Sequence, residues 1–428
     1  MIKNRVVFLL FAFTLFLKAD SLESNLSQNE IEKIEKADIS LEEIIKKAIT
    51  YHPKIKVSKE SINVAQADIE SAKWGYYPTP SVDVSNSSNG VLTVARVDQP
   101  LWTGGKLDSQ YDLVSGKKEV SKIVLQEDIY LLTSEIIDTV KMYELSKKNI
   151  LTLEDTKKQM DELSSLIDRR IEAGASTYAD RDLLNSRMMQ LESDFTNNKI
   201  KQELYLEQIE LLSGIKTKNI QFDTLNNLEI PSNTICVEML KQTHPILKKM
   251  FEEEKVALLE VEKVKSQIYP NLSLRAEHKQ GALYEDDDKT KDSLIYLTLQ
   301  ASTGAGLVAK TNIEAAKIKA KQLIHTRLAK EKELINNLLL DYNNWTQANK
   351  QTRIYEQTIE SSQKVLESNI RLFAVGKKQW LDLVNSIKEL SQYKLGFVDA
   401  QIQSFILKYK IALQIGKLDT ITGEINDI

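Results

Sequence analysis

Arg169-Arg170-Ile171-Glu172-Ala173-Gly174-Ala175-Ser176-Thr177-Tyr178-Ala179-Asp180 reads as the turn between two helices. The chain writes the same turn again as Arg371-Leu372-Phe373-Ala374-Val375-Gly376-Lys377-Lys378-Gln379-Trp380-Leu381-Asp382. In both copies a glycine ends an apolar-periodic run and an aspartate sits in the first turn of the next, which are helix stop and start signals. The spacing is 202 residues and continues through Ile209/Ile411, Leu211/Leu413 and Gly214/Gly416. Upstream, His52-Pro53 recurs as His244-Pro245 and Tyr77-Pro78 as Tyr269-Pro270, both at 192. One lengthened loop between Pro270 and Arg371 accounts for the difference, most simply around Gly281 to Asp292. Such a unit far exceeds a solenoid repeat of roughly 20–50 residues, so the chain consists of two pseudo-equivalent halves.

Very long helices fill most of each half. Ser40 to Trp74 is helical in pattern, interrupted once at His52-Pro53, where Pro53 suits the first turn of a new helix because its missing N–H would be unpaired there. From Lys106 to Glu172 there is no proline and one glycine, and Ile123, Leu125, Ile129, Leu132, Ile136, Val140 and Tyr143 recur at threes and fours. A similar run covers Thr311 to Phe373, and return helices follow over Thr177 to Leu212 and Gln379 to Ile415. Each pair makes an antiparallel helical hairpin tipped by Gly174 or Gly376. At about 1.5 Å per residue the long arms approach 100 Å, so coiled-coil packing is the expected outcome.

Between the helices the period changes to two. Leu272 and Leu274 alternate with Ser273, Arg275 and Glu277, and Ile295, Leu297 and Leu299 alternate with Tyr296, Thr298 and Gln300. The first half gives Val82 and Val84 against Ser81, Asp83 and Ser85, then Val91 to Val97 with Arg96 and Asp98 turned the other way. These are two strand hairpins. A soluble sheet with one wet face would carry the same alternation, as would a membrane sheet. Tyr76, Tyr77, Trp102 and Tyr269 at the helix–strand junctions stand where an interfacial aromatic girdle would fall.

Composition narrows the class. Lys3 and Arg5, the apolar run Val6 to Leu17 and Ala19 read as a secretory signal over residues 1–19. The apolar run is shorter than the roughly 20 residues a membrane helix needs. Its removal takes three positive charges from a chain of formal charge −4, which gives no argument for nucleic acid. Cys236 is the only cysteine, so no intramolecular disulfide forms. His52, His244, His278 and His325 are scattered, with no metal spacing, nucleophile motif or phosphate-binding loop, so neither an enzyme nor a cofactor is expected. Glu285-Asp286-Asp287-Asp288 lacks the interleaved ligands of a calcium loop and reads as a solvated loop. If the chain crosses a membrane it does so with strands. Four strands are too few, because single-chain barrels begin at about eight and open edges are excluded from lipid. The barrel must then be shared among copies.

The doubled order of helix, strand hairpin, long helix, glycine turn and return helix, with Arg-x4-Gly-x5-Asp at both tips, resembles the TolC family of outer-membrane efflux and secretion ducts. The resemblance spans roughly Leu41 to Leu418. It implies a mainly α fold with a small β part: a homotrimer whose two β-hairpins per chain build a 12-stranded barrel above a periplasmic tunnel of helical hairpins. It implies as partners a periplasmic membrane-fusion adaptor, an inner-membrane ABC or RND transporter and outer-membrane lipid. On that footing the chain divides into a signal (1–19), an N-terminal segment (20–39), a first repeat (40–214, strands about 79–101), an equatorial connection (215–235), a second repeat (236–416, strands about 271–303) and a tail (417–428). Phe373, Lys378, Asp382 and Asn385 fall where the family constricts its periplasmic entrance, although Phe373 lacks a tyrosine hydroxyl and Asn385 a charge. Gly174, Asp180 and Gly376 fall at tips that receive the adaptor. Asp180 and Asp382 read equally as helix caps. Leu272, Leu274, Ile295, Leu297 and Leu299 are expected to face lipid, and Arg275, Glu277 and Thr298 the lumen. A secreted or periplasmic coiled-coil structural protein or adhesin is the alternative.

Overall fold

The computed structural model describes residues 34–87, 90–221, 229–281, 291–301 and 308–417. The expected signal and the acidic stretch at 285–288 lie outside these. The first repeat runs α1 (Leu41–Tyr51), α2 (Pro53–Trp74), β2 (Thr79–Ser87), β3 (Gly90–Trp102), α3 (Lys106–Glu172) and α4 (Tyr178–Ser213), preceded by β1 (Ile34–Ser40). After β4 (Ile215–Gln221) the second runs α5 (Asn233–Thr243), α6 (Pro245–Ser266), β5 (Asn271–Gln280), β6 (Lys291–Gln300), α7 (Val308–Ala374) and α8 (Trp380–Gln414). Matching helices are nearly identical in length: 11 and 11 residues, 22 and 22, 67 and 67, 36 and 35. Val82 pairs with Ala95 and the equivalent Leu274 with Leu297, so the repeat offset changes from 192 to 202 between β5 and β6.

Local signals set the helix starts. The Ser40 hydroxyl accepts the Glu43 N–H at 3.2 Å and so caps α1. His52 and His244 each cap the helix whose first residue is the following proline, with Nδ1 accepting from Lys54 N and Ile246 N, both at 3.3 Å. α3 needs no such device along its length, since no proline interrupts it, and at about 1.5 Å per residue it spans roughly 100 Å.

Midway along the bundle lies the largest core. Ile44, Ile45 and Ala48 of α1 pack with Ile136, Ile137, Val140 and Tyr143 of α3, Ile209 of α4, and Ile406 and Leu413 of α8. Each fully buried aliphatic side chain there contributes about 1.5–3 kcal/mol. β1 and β4 pair in parallel beside this core, from Ile34 with Ile215 to Ser40 with Gln221, so the N-terminal segment is clamped to the connection between repeats. Neither strand is expected from the sequence. α5 also begins within the connecting segment, at Asn233 rather than 236.

The two helices of each hairpin are unequally buried. α3 buries 18 residues and α8 buries 14, but α4 buries only Leu184, Ile209 and Ser213 of its 36, and α7 only six of its 67. α4 and α7 therefore keep wide faces uncovered, with Met189, Ile200, Leu211, Ile354 and Val365 exposed.

His52 and His244 share a capping role but not an environment. His244 is 0% exposed, its ring lies 4.7 Å from that of Tyr130 on α3, and its Nε2 has no hydrogen-bond partner. Burial, helped by the nearby Lys330 cation, lowers its pKa to about 4. Above about pH 6.5 the imidazole is neutral in both folded and unfolded chains. Below that the unfolded chain takes the proton first, so stability falls with pH until the folded group titrates near 4. The loss should approach about 3 kcal/mol. Thermal unfolding from pH 7 to pH 4 should show it, and His244→Asn, which keeps a capping acceptor, should flatten the profile between those limits.

Candidate channel entrance and membrane sheet

At the tip of each hairpin the chain turns on a left-handed glycine, Gly174 at φ 70° and Gly376 at φ 75°. The residue after each donates back into the ending helix, Ala175 N to Arg170 O at 2.7 Å and Lys377 N to Leu372 O at 2.9 Å. A Cβ at either glycine would meet nothing within 4 Å. Gly174→Ala and Gly376→Ala should therefore cost only the left-handed strain, roughly 1 kcal/mol each. Melting of the purified variants should show small, similar shifts; a large loss at one tip would reveal a contact missing from the protomer.

Both return helices open with a reciprocal cap. Thr177 Oγ1 accepts from Asp180 N at 3.3 Å while Asp180 Oδ2 accepts from Thr177 N at 2.9 Å. Gln379 and Asp382 form the matching box, with Asp382 Oδ2 accepting Gln379 N at 3.1 Å. The Asp180 carboxyl is held below the ordinary aspartate range, first by the Thr177 N–H, against partial desolvation, and further by the Thr177 hydroxyl and the Trp380 indole. That indole belongs to the other hairpin.

Capping thus occupies part of each aspartate named from sequence. Lys378 Nζ stands 3.8 Å from Asp382 Oδ2, and both side chains remain partly exposed. Asn385 is exposed on the same helix. Phe373 is placed differently: it is 4% exposed, packed with Met160, Leu163, Ile167, Leu184, Leu383 and Ile387 where the two hairpins meet. The Arg170 guanidinium lies 4.7 Å from its ring centre, a cation–π contact between α3 and α7. Lys378, Asp382 and Asn385 thus cluster at one outer edge, while Phe373 supports them from within. Arg170 and Trp380, which join the hairpins, are not among the site residues expected from sequence. The signal for both is a difference between the repeats, since Arg170 aligns with Leu372 and Trp380 with Tyr178.

At the opposite end the four strands form one antiparallel sheet in the order β2-β3-β5-β6, with β2 and β6 as free edges. Opposed residues share a face. Leu272 faces Leu299, Leu274 faces Leu297 and Ala276 faces Ile295, and that face continues through Val97 to Val82 and Val84. Among the described residues no helix covers it, and Ile295 and Leu299 are 76% and 70% exposed. The other face carries charge. Arg96 bridges Asp83 (2.7 Å) and Glu277 (3.1 Å), Arg275 meets Asp98 at 2.6 Å, and Glu277 also holds Lys279 (3.0 Å) and the Tyr296 hydroxyl (3.0 Å). Thr298 lies on this face and donates to Ser273 O at 3.3 Å. Val94 also points this way, buried among the ion pairs. Trp74, Tyr76, Tyr77, Trp102 and Tyr269 ring the sheet's helical end, all exposed, with the Trp74 and Tyr77 rings tilted against each other at 5.2 Å.

The sheet, with one apolar and one charged face, is thus set at the end of helical hairpins about 100 Å long. Residues 236–404 match the family model described as outer membrane efflux protein. The chain has the TolC-like fold. Among solved structures it is similar to CusC, described as forming a transmembrane channel (14% identity, 88% of this chain and 92% of that one, TM-score 0.76). The outer membrane protein VceC of Vibrio cholerae gives 12% identity over 88% and 96%, TM-score 0.76. The CmeC outer membrane channel of Campylobacter jejuni gives 12% over 91% and 87%, TM-score 0.72. No curated protein matches in sequence. At such identities the TolC-like fold transfers and residue roles do not. Among the described residues no group of His, Cys, Asp and Glu could hold a metal ion.

Proposed function

We propose that three copies of this chain form an outer-membrane duct extending into the periplasm. Through it an inner-membrane transporter and a periplasmic adaptor pass substrates to the exterior. The four-stranded sheet carries this reading. Its apolar face is uncovered, which is costly in water and favourable in lipid, and its edges are open, which lipid excludes unless the sheet closes. Three copies supply 12 strands, enough for a barrel, with the charged face of Arg96, Arg275, Glu277 and Thr298 toward water. Leu272, Leu274, Ile295, Leu297 and Leu299 then face lipid. Four hairpin helices per chain, α3, α4, α7 and α8, continue the barrel as a tunnel of 12. Its far end is the cluster of Lys378, Asp382 and Asn385 backed by Phe373, with Gly174, Asp180 and Gly376 at the tips an adaptor would meet.

A secreted coiled-coil protein accounts for the hairpins but not for the sheet, because a soluble sheet would cover its apolar face with helices. The test is reconstitution. The detergent-extracted protein should run as a heat-modifiable trimer and give discrete conductance steps in planar bilayers. Release into the soluble fraction as a monomer would defeat the proposal.

A further inference from the structure

On the charged face of the sheet the cations of β3 and β5 are each met by a carboxylate of the same chain. Arg96 bridges Asp83 and Glu277, Arg275 holds Asp98, and Lys279 holds Glu277. Three positive side chains thus meet three negative ones across β2, β3 and β5. β6 places Leu294, Tyr296 and Thr298 opposite Glu277, Arg275 and Ser273, and brings a charge to that face only with Asp292, exposed at the end farthest from the helices. The duplication does not dictate this pattern. The second-repeat counterparts of Arg96 and Asp98 are the neutral Thr298 and Gln300, so the pairing is completed within one chain.

Glu277 is the centre of the ladder. Its side chain is 4% exposed on an otherwise open face, because three donors cover it. They are Arg96 Nε of β3 at 3.1 Å, Lys279 Nζ of its own strand at 3.0 Å and the Tyr296 hydroxyl of β6 at 3.0 Å. Loss of the Glu277 charge would leave Arg96 with Asp83 at 2.7 Å. Lys279 has no second carboxylate within ion-pair distance among the described residues. One unpaired cation per chain would result.

We propose that in the closed barrel this ladder is a self-neutralised collar, passing solutes of either charge, and that Glu277 is the residue that sets the barrel's ion preference. Twelve strands about 4.8 Å apart and tilted about 40° put the wall roughly 12 Å from the axis. Wall charges are screened over about 10 Å in 0.1 M salt and about 30 Å in 0.01 M, so in dilute salt they act on ions at the axis. Paired charges of opposite sign cancel there. Three unpaired cations, one from each copy, do not, and at 0.01 M they enrich anions about threefold. The ion pairs therefore do more than tie strands together: they keep a wall dense in charge from sorting what passes it.

The inference rests on the reading of the chain as a trimeric duct, and the test separates the two. Reversal potentials are measured on the full-length protein in planar bilayers under a salt gradient with about 0.01 M on the dilute side, applied in both directions. Glu277→Gln, which keeps the size and removes the charge, should raise anion over cation permeability about threefold. The effect should vanish near 1 M salt, where screening acts within about 3 Å. Lys279→Gln should shift the ratio the other way by a similar factor. Glu277→Gln/Lys279→Gln should return to the wild-type ratio although it removes more of the network than either single change, which separates charge from disturbed packing. Lys279 is 47% exposed on its side chain, so Lys279→Gln decides alone where Glu277→Gln does not assemble. Wild-type ion preference in conducting trimers of the single variants overturns the collar and leaves the duct standing. A double variant that keeps the shift of either single overturns it too, by assigning that shift to altered structure. A wild-type chain that forms neither trimer nor pore overturns the duct reading itself.

Discussion

Leu297→Arg is expected to abolish trimer assembly, while Thr298→Arg, one residue away, leaves it largely intact. The register sets the contrast. Leu297 lies opposite Leu274 on the uncovered apolar face, and Thr298 lies opposite Ser273 on the face that carries Arg275 and Glu277. An arginine on the lipid face of a barrel costs about 2–4 kcal/mol near mid-membrane, against little in an aqueous lumen. Three copies per barrel multiply the penalty at a step where the strands have yet to close. The check is the heat-modifiable trimer band in outer-membrane fractions at matched expression. Equal yields for the two variants would mean that both faces meet water, which would remove the barrel. Leu274→Arg, across the strand pair, should behave as Leu297→Arg does.

How far this was legible in the sequence varied with the range of the interaction. Helix limits are local events. Pro53 and Pro245 open helices, Gly174 and Gly376 end them, and the 67-residue arms follow from the absence of proline and the near absence of glycine in between, Gly116 being the one exception. Strand faces were legible for the same reason, since alternation in Leu272 to Glu277 fixes which side chains travel together, and the register then joins them across the sheet. The pairing of β1 with β4 was not legible. It joins segments about 180 residues apart, and neither Ile34–Ser40 nor Ile215–Gln221 carries turn signals toward its partner. At the tips the glycine turns and the aspartate caps were legible, but not the direction of each side chain. Whether Phe373 points outward or into the junction depends on how α7 is rotated against α3, and that is set by packing with Met160, Leu163 and Ile167.

Phe373→Ala is accordingly expected to act by emptying a junction rather than by widening a pore directly. Truncating a buried phenylalanine costs about 3–5 kcal/mol, and the lost Arg170 contact adds up to about 2. The core of Ile136, Ile137, Val140 and Tyr143 lies in a separate cluster, so the trimer should survive while the tips loosen. Conductance should rise and become noisier, with only a small change in ion preference because no charge has moved. Asp382→Asn should do the converse. The amide oxygen can still accept the Gln379 N–H, so the cap persists, but the charge beside Lys378 is gone. Fixed charge matters for permeating ions only within about a Debye length, 8–10 Å in ordinary salt. Asp382→Asn should therefore weaken cation preference and block by cationic ligands if its carboxylate lines the constriction. Asp180→Asn, whose carboxylate is already held by the Thr177 N–H, should alter ion preference less. Single-channel recordings at two salt concentrations decide this. Unchanged cation preference and block in Asp382→Asn, with a Phe373→Ala channel that still conducts more, would leave Asp382 a helix cap and the entrance held by packing alone.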